Sequence, residues 1–207
     1  MVNAMQIRDV SKKEKQVISD IVNIHLNTFK GFFLTFMGRG FLYQMYRSYC
    51  EHEGSKLLAA LDENEKIVGF VAYSENMSGL YKHMIKKHLV SFAWYSAGAF
   101  FRKPKVFMRL VRAFLKPGEV KREESYVELS SIGVDPNAKS HGVGSLLLGA
   151  VKQRVDFSRV AYIALETDAV DNEAVNRFYV KNGFTLVREY ETREGRKMNE
   201  YRFREEK

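Results

Sequence analysis

Apolar and polar residues fall in blocks along the chain, and the spacing inside each block predicts an element. Residues 6–10 alternate weakly, as a first strand would. Ser11, with Glu14 three residues later, has the form of a capping box opening a helix through Val17, Ile18, Ile21, Val22 and His25. A second, aromatic-rich helix is expected over residues 40–50, carrying Phe41, Leu42, Met45, Tyr46 and Tyr49. Residues 28–37, with Phe29, Phe32, Phe33 and Phe36, read as an apolar loop between the two helices. The apolar runs 56–61 and 66–74 flank the polar turn Asp62-Glu63-Asn64-Glu65 and form a hairpin pattern.

A helical period then takes over. Phe107, Leu110, Val111, Phe114 and Leu115 fit an i, i+3, i+4, i+7, i+8 template, and Tyr81, Met84, Ile85, Leu89 and Phe92 repeat the period earlier. Residues 79–116 are expected to form two or three helices ended by Pro117-Gly118. Beyond them the pattern reads strand 126–134, loop 135–141, helix 142–155, strand 160–167, helix 172–181, and two strands, 184–192 and 197–204, around Glu194-Gly195. Alternating strands and helices predict a mixed α/β sheet. At 207 residues the chain has the length of one domain with an insertion.

Composition adds one contrast. The chain is 45% hydrophobic and 28% charged, as a folded globular protein is, and carries a formal net charge of +8. Residues 81–122 hold eleven bases and a single acid, Glu119, so that stretch is +10 and the remainder is −2. The five histidines show no metal-ligand spacing and Cys50 is the only cysteine, so neither a metal nor a disulfide is expected. Residues 1–15 lack the apolar core of a secretory leader, and the run 89–101 is shorter than a membrane span needs. The expected compartment is the cytoplasm.

The most informative segment is Leu129-Ser130-Ser131-Ile132-Gly133-Val134-Asp135-Pro136, followed by Lys139-Ser140-His141-Gly142-Val143-Gly144-Ser145. A strand running into a glycine-bearing turn that opens a helix aims unpaired N–H groups at one spot, which suits a pyrophosphate. By itself this pattern fits a structural tight turn equally well. It is not a P-loop, and it lacks the third glycine of a dinucleotide fingerprint.

A second segment narrows the reading. Leu165-Glu166-Thr167-Asp168 ends a strand, Asn172 and Ala174 start a helix, and Arg177-Phe178-Tyr179-Val180-Lys181-Asn182-Gly183-Phe184 closes it. The order and spacing of the two segments, over roughly residues 125–190, resemble the GNAT superfamily of acyl-CoA-dependent N-acetyltransferases. Residues 1–75 match that family only in the order of elements. The resemblance implies an α/β (α+β) fold, with a mixed, mostly antiparallel central sheet flanked by helices and a helical insertion, at about 79–124, between the third and fourth strands. It implies acetyl-CoA as cosubstrate.

By the same resemblance, Ile132, Gly133 and Val134 would pair with the pantetheine arm, and Lys139, Ser140, His141, Gly142, Val143, Gly144 and Ser145 would form the phosphate cradle, with Gly142 and Gly144 admitting close approach. Lys139 stands where the family usually has Gln or Arg, which keeps a cation without a planar fork. Asn172 would contact the cofactor arm. Tyr179 matches the tyrosine near the CoA sulfur, a proton donor for the departing thiolate, although a Phe-Tyr pair on a helix also suits a core. Glu166 is the candidate base for the incoming ammonium, or a solvated strand end, and Glu128 stands in reserve through a water.

Residues 28–39 and the final strands would line the acceptor side, where the phenylalanines either fill core or grip the acceptor. The acceptor is read as a primary amine of a small molecule, an amino sugar among the candidates, attacked directly in a ternary complex. A silent acyl-CoA-binding module and a protein or peptide N-acetyltransferase are the alternatives. For the basic insertion, a helical lid competes with docking to an anionic membrane, contact with nucleic acid ranks lower, and self-association as a homodimer takes the remainder.

Overall fold

The computed structural model describes residues 5–102, 104, 105, 108, 124–138, 142–192 and 195–205. Its elements are β1 (Gln6–Asp9), α1 (Lys15–Thr28), α2 (Phe33–Met37), α3 (Arg39–Glu51), β2 (Ser55–Leu61), β3 (Ile67–Ser74), α4 (Met77–Arg102), β4 (Tyr126–Val134), α5 (Val143–Arg154), β5 (Tyr162–Asp168), α6 (Glu173–Lys181), β6 (Thr185–Glu191) and β7 (Lys197–Phe203). The strands form one sheet in the order β1-β2-β3-β4-β5-β7-β6. All neighbours are antiparallel except β4 and β5. This is the mixed, mostly antiparallel sheet expected from the sequence.

Both faces of the sheet are covered, which is why β2 and β3 are continuous apolar runs rather than alternating ones. Leu57, Ala59, Phe70 and Ala72 pack with α1, α3 and α4, including Ile18, Ile21, Tyr46 and Leu80. On the other face Leu58, Ala60, Val127, Ile163 and Leu165 pack with Leu147, Leu148 and Val151 of α5 and Tyr179 of α6. In the hairpin turn, Asp62 Oδ1 accepts from the backbone N–H of Asn64 (2.9 Å) and Lys66 (3.0 Å), which fixes the connection between β2 and β3.

Two local expectations are corrected. Helix α1 starts at Lys15 and not at the Ser11 cap, because Ser11 and Glu14 close a turn of their own: the Ser11 N–H donates to Glu14 Oε2 at 2.7 Å and Arg8 pairs with Glu14 Oε1 at 2.7 Å. The stretch 28–37 contains the one-turn helix α2, anchored by the Thr35 hydroxyl donating to Phe29 O at 2.6 Å. Residues 77–102 form one unbroken helix of 26 residues, and the rest of the stretch read as two or three helices lies largely outside the described residues.

In α4 the row that packs is Leu80, Met84, His88, Phe92 and Ser96, an i, i+4 ridge, with Phe92 edge-on to Phe41 at 4.9 Å. Ile85 and Leu89, expected on the same face, are more than half exposed because they lie on the next row round the helix. The second amphipathic pattern, residues 107–115, falls outside the described residues except for Met108. Among the described residues no helix is long and apolar enough to cross a membrane.

The feature that positions the site is an interruption between β4 and β5. They pair only over Tyr126↔Tyr162, Val127↔Ile163 and Glu128↔Ala164, although β4 continues to Val134 and β5 to Asp168. At the same point the β3–β4 register slips from Tyr73↔Leu129 to Ala72↔Ser131, leaving Ser130 as an extra residue. Such a bulge bends its strand and increases its twist, and here it turns β4 away from β5.

Candidate active site

The splay opens a cavity of about 730 Å³. Its walls include Ser130, Ser131, Ile132 and Val134 of β4, Leu165, Glu166, Thr167 and Asp168 of β5, the first turn of α5, and His25, Thr28, Phe29, Phe32 and Leu34. Past Glu128 the edge of β4 that faces β5 has no strand partner among the described residues. An extended ligand arm can add to that edge as a strand would. The Thr28 hydroxyl donates to Val134 O at 3.0 Å and ties α1 to the end of this strand. Gly133 pairs with Phe70 of β3, on the closed side.

Helix α5 begins at the cavity wall. Gly142 is its N-cap, with φ +78°, a left-handed conformation that only glycine adopts without strain. Helix geometry leaves the N–H groups of Val143, Gly144 and Ser145 without intrahelical partners, and among the described residues no side chain caps them. All three line the cavity, so the positive end of a 12-residue helix faces it. Gly144 serves a purpose the sequence reading did not foresee. A Cβ there would lie 3.0 Å from Cζ of Phe178, so the missing side chain lets α5 and α6 close on each other. Around Gly142 a Cβ would meet nothing within 4 Å, so its requirement is conformational. Lys139, Ser140 and His141 lie outside the described residues.

Asn172 is at the cavity wall, but its NH₂ group is spent on structure: it donates to Thr167 Oγ1 (2.8 Å) and Asp168 O (3.0 Å), tying the start of α6 to the end of β5. Asn176 repeats this one turn later, donating to Asp168 O at 3.1 Å, and accepts from the Tyr201 hydroxyl at 3.0 Å.

Tyr179 also lines the cavity. Only 6% exposed, its ring is boxed by Phe178, Phe184 and Tyr201, and burial pushes the phenol well above its ordinary value. The phenol therefore stays protonated, a donor at any physiological pH. Glu166 reaches the same cavity from the opposite face. Leu165 faces α5 and α6, and successive strand residues point to opposite sides, so the Glu166 carboxylate lies on the side of α1 and α2. The Tyr190 hydroxyl donates to Glu166 Oε2 at 2.7 Å, and Arg188 stands 3.8 Å from Oε1.

Several residues in the wall or next to it were not singled out from the sequence. Glu200, the cross-strand partner of Glu166, is 1% exposed and ion-paired to Arg188 (3.1 Å) and Arg202 (2.9 Å), which keeps two adjacent carboxylates from repelling. Arg196 grips Asp168 Oδ1 through Nε (3.1 Å) and Nη2 (2.7 Å), and with Met198 closes the β6–β7 end of the cavity. His25 is 2% exposed, and burial brings its imidazole down to about 4. The one signal for it was a polar residue on the otherwise apolar face of α1.

A β-sheet slotted between two parallel strands, with a helix N-terminus at one mouth and a phenol inside, defines a transferase class that binds a phosphorylated acyl carrier along a strand edge. The model of the acetyltransferase (GNAT) family matches residues 21–184, and the chain belongs to that family. It is an acyltransferase, an acetyl-CoA-dependent N-acetyltransferase acting on an amine.

Solved structures share the fold at low identity. A GNAT-family acetyltransferase from Desulfovibrio desulfuricans superposes with a TM-score of 0.62 at 16% identity, covering 97% of this chain and 99% of that one. Arabidopsis thaliana NAA60, in complex with acetyl-CoA, gives 0.57 at 14% identity over 97% and 98% of the two chains. The polyamine N-acetyltransferase of Drosophila melanogaster gives 0.58 at 14% identity over 97% and 100%. No curated protein matches the sequence.

Proposed function

We propose that the acceptor is the primary amine of a small molecule, an amino sugar among the candidates, and that transfer is direct within a ternary complex on a single domain carrying an insertion at about 79–124. One observation carries this reading: Tyr179 and Glu166 enter the same slot from opposite faces of the sheet. Acyl donor and amine can then meet through the sheet without exchanging places.

In this reading the CoA pyrophosphate lies on the N–H groups of Val143, Gly144 and Ser145, with Lys139, Ser140, His141 and Gly142 completing the turn, while Ile132, Gly133 and Val134 carry the pantetheine arm and Asn172 flanks it. Glu166 attracts the ammonium and takes its proton, with Glu128 in reserve. The neutral amine attacks the thioester carbon, the N–C bond forms, the C–S bond breaks, the thiolate takes a proton from Tyr179, and the proton that the new amide nitrogen sheds returns to the tyrosine. Burial keeps the phenol protonated, so it can donate a hydrogen bond to that thiolate. Phe29, Phe32, Leu34 and Met198 give the acceptor side an apolar wall of small-molecule size.

The test is CoA thiol release from acetyl-CoA across a panel of aminosugars, other small amines and peptides. Steady release with a small amine is expected. Release with peptides alone would move the assignment to a protein acetyltransferase, and none with any amine would leave a silent acyl-CoA-binding module.

A second reading concerns the insertion. On α4 the exposed side presents Ile85, Leu89, Val90, Trp94 and Phe101 beside Lys82, Lys86 and Lys87. Apolar residues flanked by lysines suit the surface of an anionic membrane, where an acceptor attached to a lipid would be presented. Pelleting with anionic vesicles that weakens with salt supports it, and no pelleting at low salt removes it.

A further inference from the structure

Away from the slot, the last residue of α3 and the first turns of α4 bring three metal-ligating side chains together. Glu51 Oε2 lies 2.7 Å from His88 Nε2 and 3.3 Å from His83 Nε2. The three ligand atoms all fall within 4.8 Å of one another, and the histidine ring centroids are 6.1 Å apart. Each side chain is 10–19% exposed, shielded but reachable from solvent. No local spacing points to this cluster, because Glu51 is more than thirty residues from either histidine and His83 and His88 are five apart.

We infer that Glu51, His83 and His88 form a site for one divalent transition-metal ion of the zinc class, which pins the insertion helix α4 to the end of α3. In a tetrahedral site with bonds of about 2.0–2.1 Å, ligand atoms lie about 3.3 Å apart; of the three pairs, Glu51–His83 is already at that spacing, Glu51–His88 opens by roughly half an ångström, and the two histidine Nε2 atoms, within 4.8 Å of each other, settle to it. Two imidazoles and a carboxylate are the donor set that zinc favours when one position is left to water. The other oxygen of the carboxylate is held by Arg47 Nε at 2.8 Å, a supporting contact that fixes its orientation. Among the described residues, neither histidine uses Nδ1 in a hydrogen bond with the protein. Each is free to carry its proton there, toward water, and offer the Nε2 lone pair to the metal. A third ring, His52, stands 5.9 Å from His83, but its Nδ1 is engaged by the Ser55 hydroxyl at 2.8 Å, and it is not among the three converging ligands.

The test uses the full-length chain without an affinity tag, freed of metal by a chelator. Titration with Zn²⁺ is expected to saturate at one ion per chain and to raise Tm, and Co²⁺ to give the visible bands of a tetrahedral nitrogen and oxygen site. His83→Ala and His88→Ala should each weaken Zn²⁺ binding by about tenfold or more and abolish the Tm rise. The Tm shift caused by acetyl-CoA verifies that each variant is folded. Should either alanine variant fail that control, Glu51→Gln, which keeps the shape of the side chain, is expected to show the same loss. Absence of saturable Zn²⁺ binding to the wild type, or binding that survives these variants unchanged, overturns the site.

Discussion

The hydroxyl of Tyr46 lies 2.6 Å from Nδ1 of His25, at the back of the acceptor wall. Burial pushes the Tyr46 phenol well above its ordinary value, even against the opposing hydrogen bond with Ser131, so the phenol keeps its proton and donates it to Nδ1. The imidazole is then neutral with its hydrogen on Nε2, and among the described residues Nε2 has no partner.

That neutrality makes stability depend on pH. The imidazole of His25 titrates near 6.5 in the unfolded chain and at about 4 in the folded one, so between those values the unfolded state binds the extra proton. Stability is full above pH 6.5 and falls as pH drops toward 4, with a limiting slope of about 1.4 kcal/mol per unit and a total of roughly 3 kcal/mol. Denaturant melts at pH 7 and pH 5 are expected to show the fall in the wild type and a shallower one in His25→Gln. Equal slopes would reject the assignment.

Tyr179→Phe keeps the ring packing against Phe178, Phe184 and Tyr201 and removes only the donor. Turnover should drop by about 10²-fold while the Kd for acetyl-CoA changes little. Unchanged kcat in steady-state assays would take Tyr179 out of the acid role.

Glu166→Gln removes the charge facing the acceptor and leaves an acceptor for the Tyr190 hydroxyl. The expected result is a lower kcat/KM for cationic amines. If the variant keeps the wild-type kcat/KM, the proton leaves by another route, with Glu128 the next carboxylate to test.

Gly144→Val should lower both Tm and acetyl-CoA affinity, because the first branch atom already meets the Phe178 ring at 3.0 Å and the larger side chain separates α5 from α6. Gly142→Ala strains only the cap, where φ is +78°, at a cost of about 1 kcal/mol. Thermal melts with and without acetyl-CoA separate the two effects.

The sequence by itself determined most of the element order, the strand–turn–helix segment with its glycines, and the paired motif around Asn172 and Tyr179, because these depend on local periodicity and on backbone conformations few residues adopt. What only the tertiary structure decided depends on distance in the chain. The slot exists because a bulge at Ser130 and the end of β4–β5 pairing coincide. The pairing of Glu200 with Arg188 and Arg202, the burial of His25 against Tyr46, and the meeting of Glu51 with His83 and His88 join residues up to some forty positions apart. Even α4, helical by pattern, revealed its packed row only against α3, since a helix offers several apolar rows and its neighbour selects one. Periodicity specifies which element forms; the partner packed on it decides which side chains are buried, ionised or brought within bonding distance.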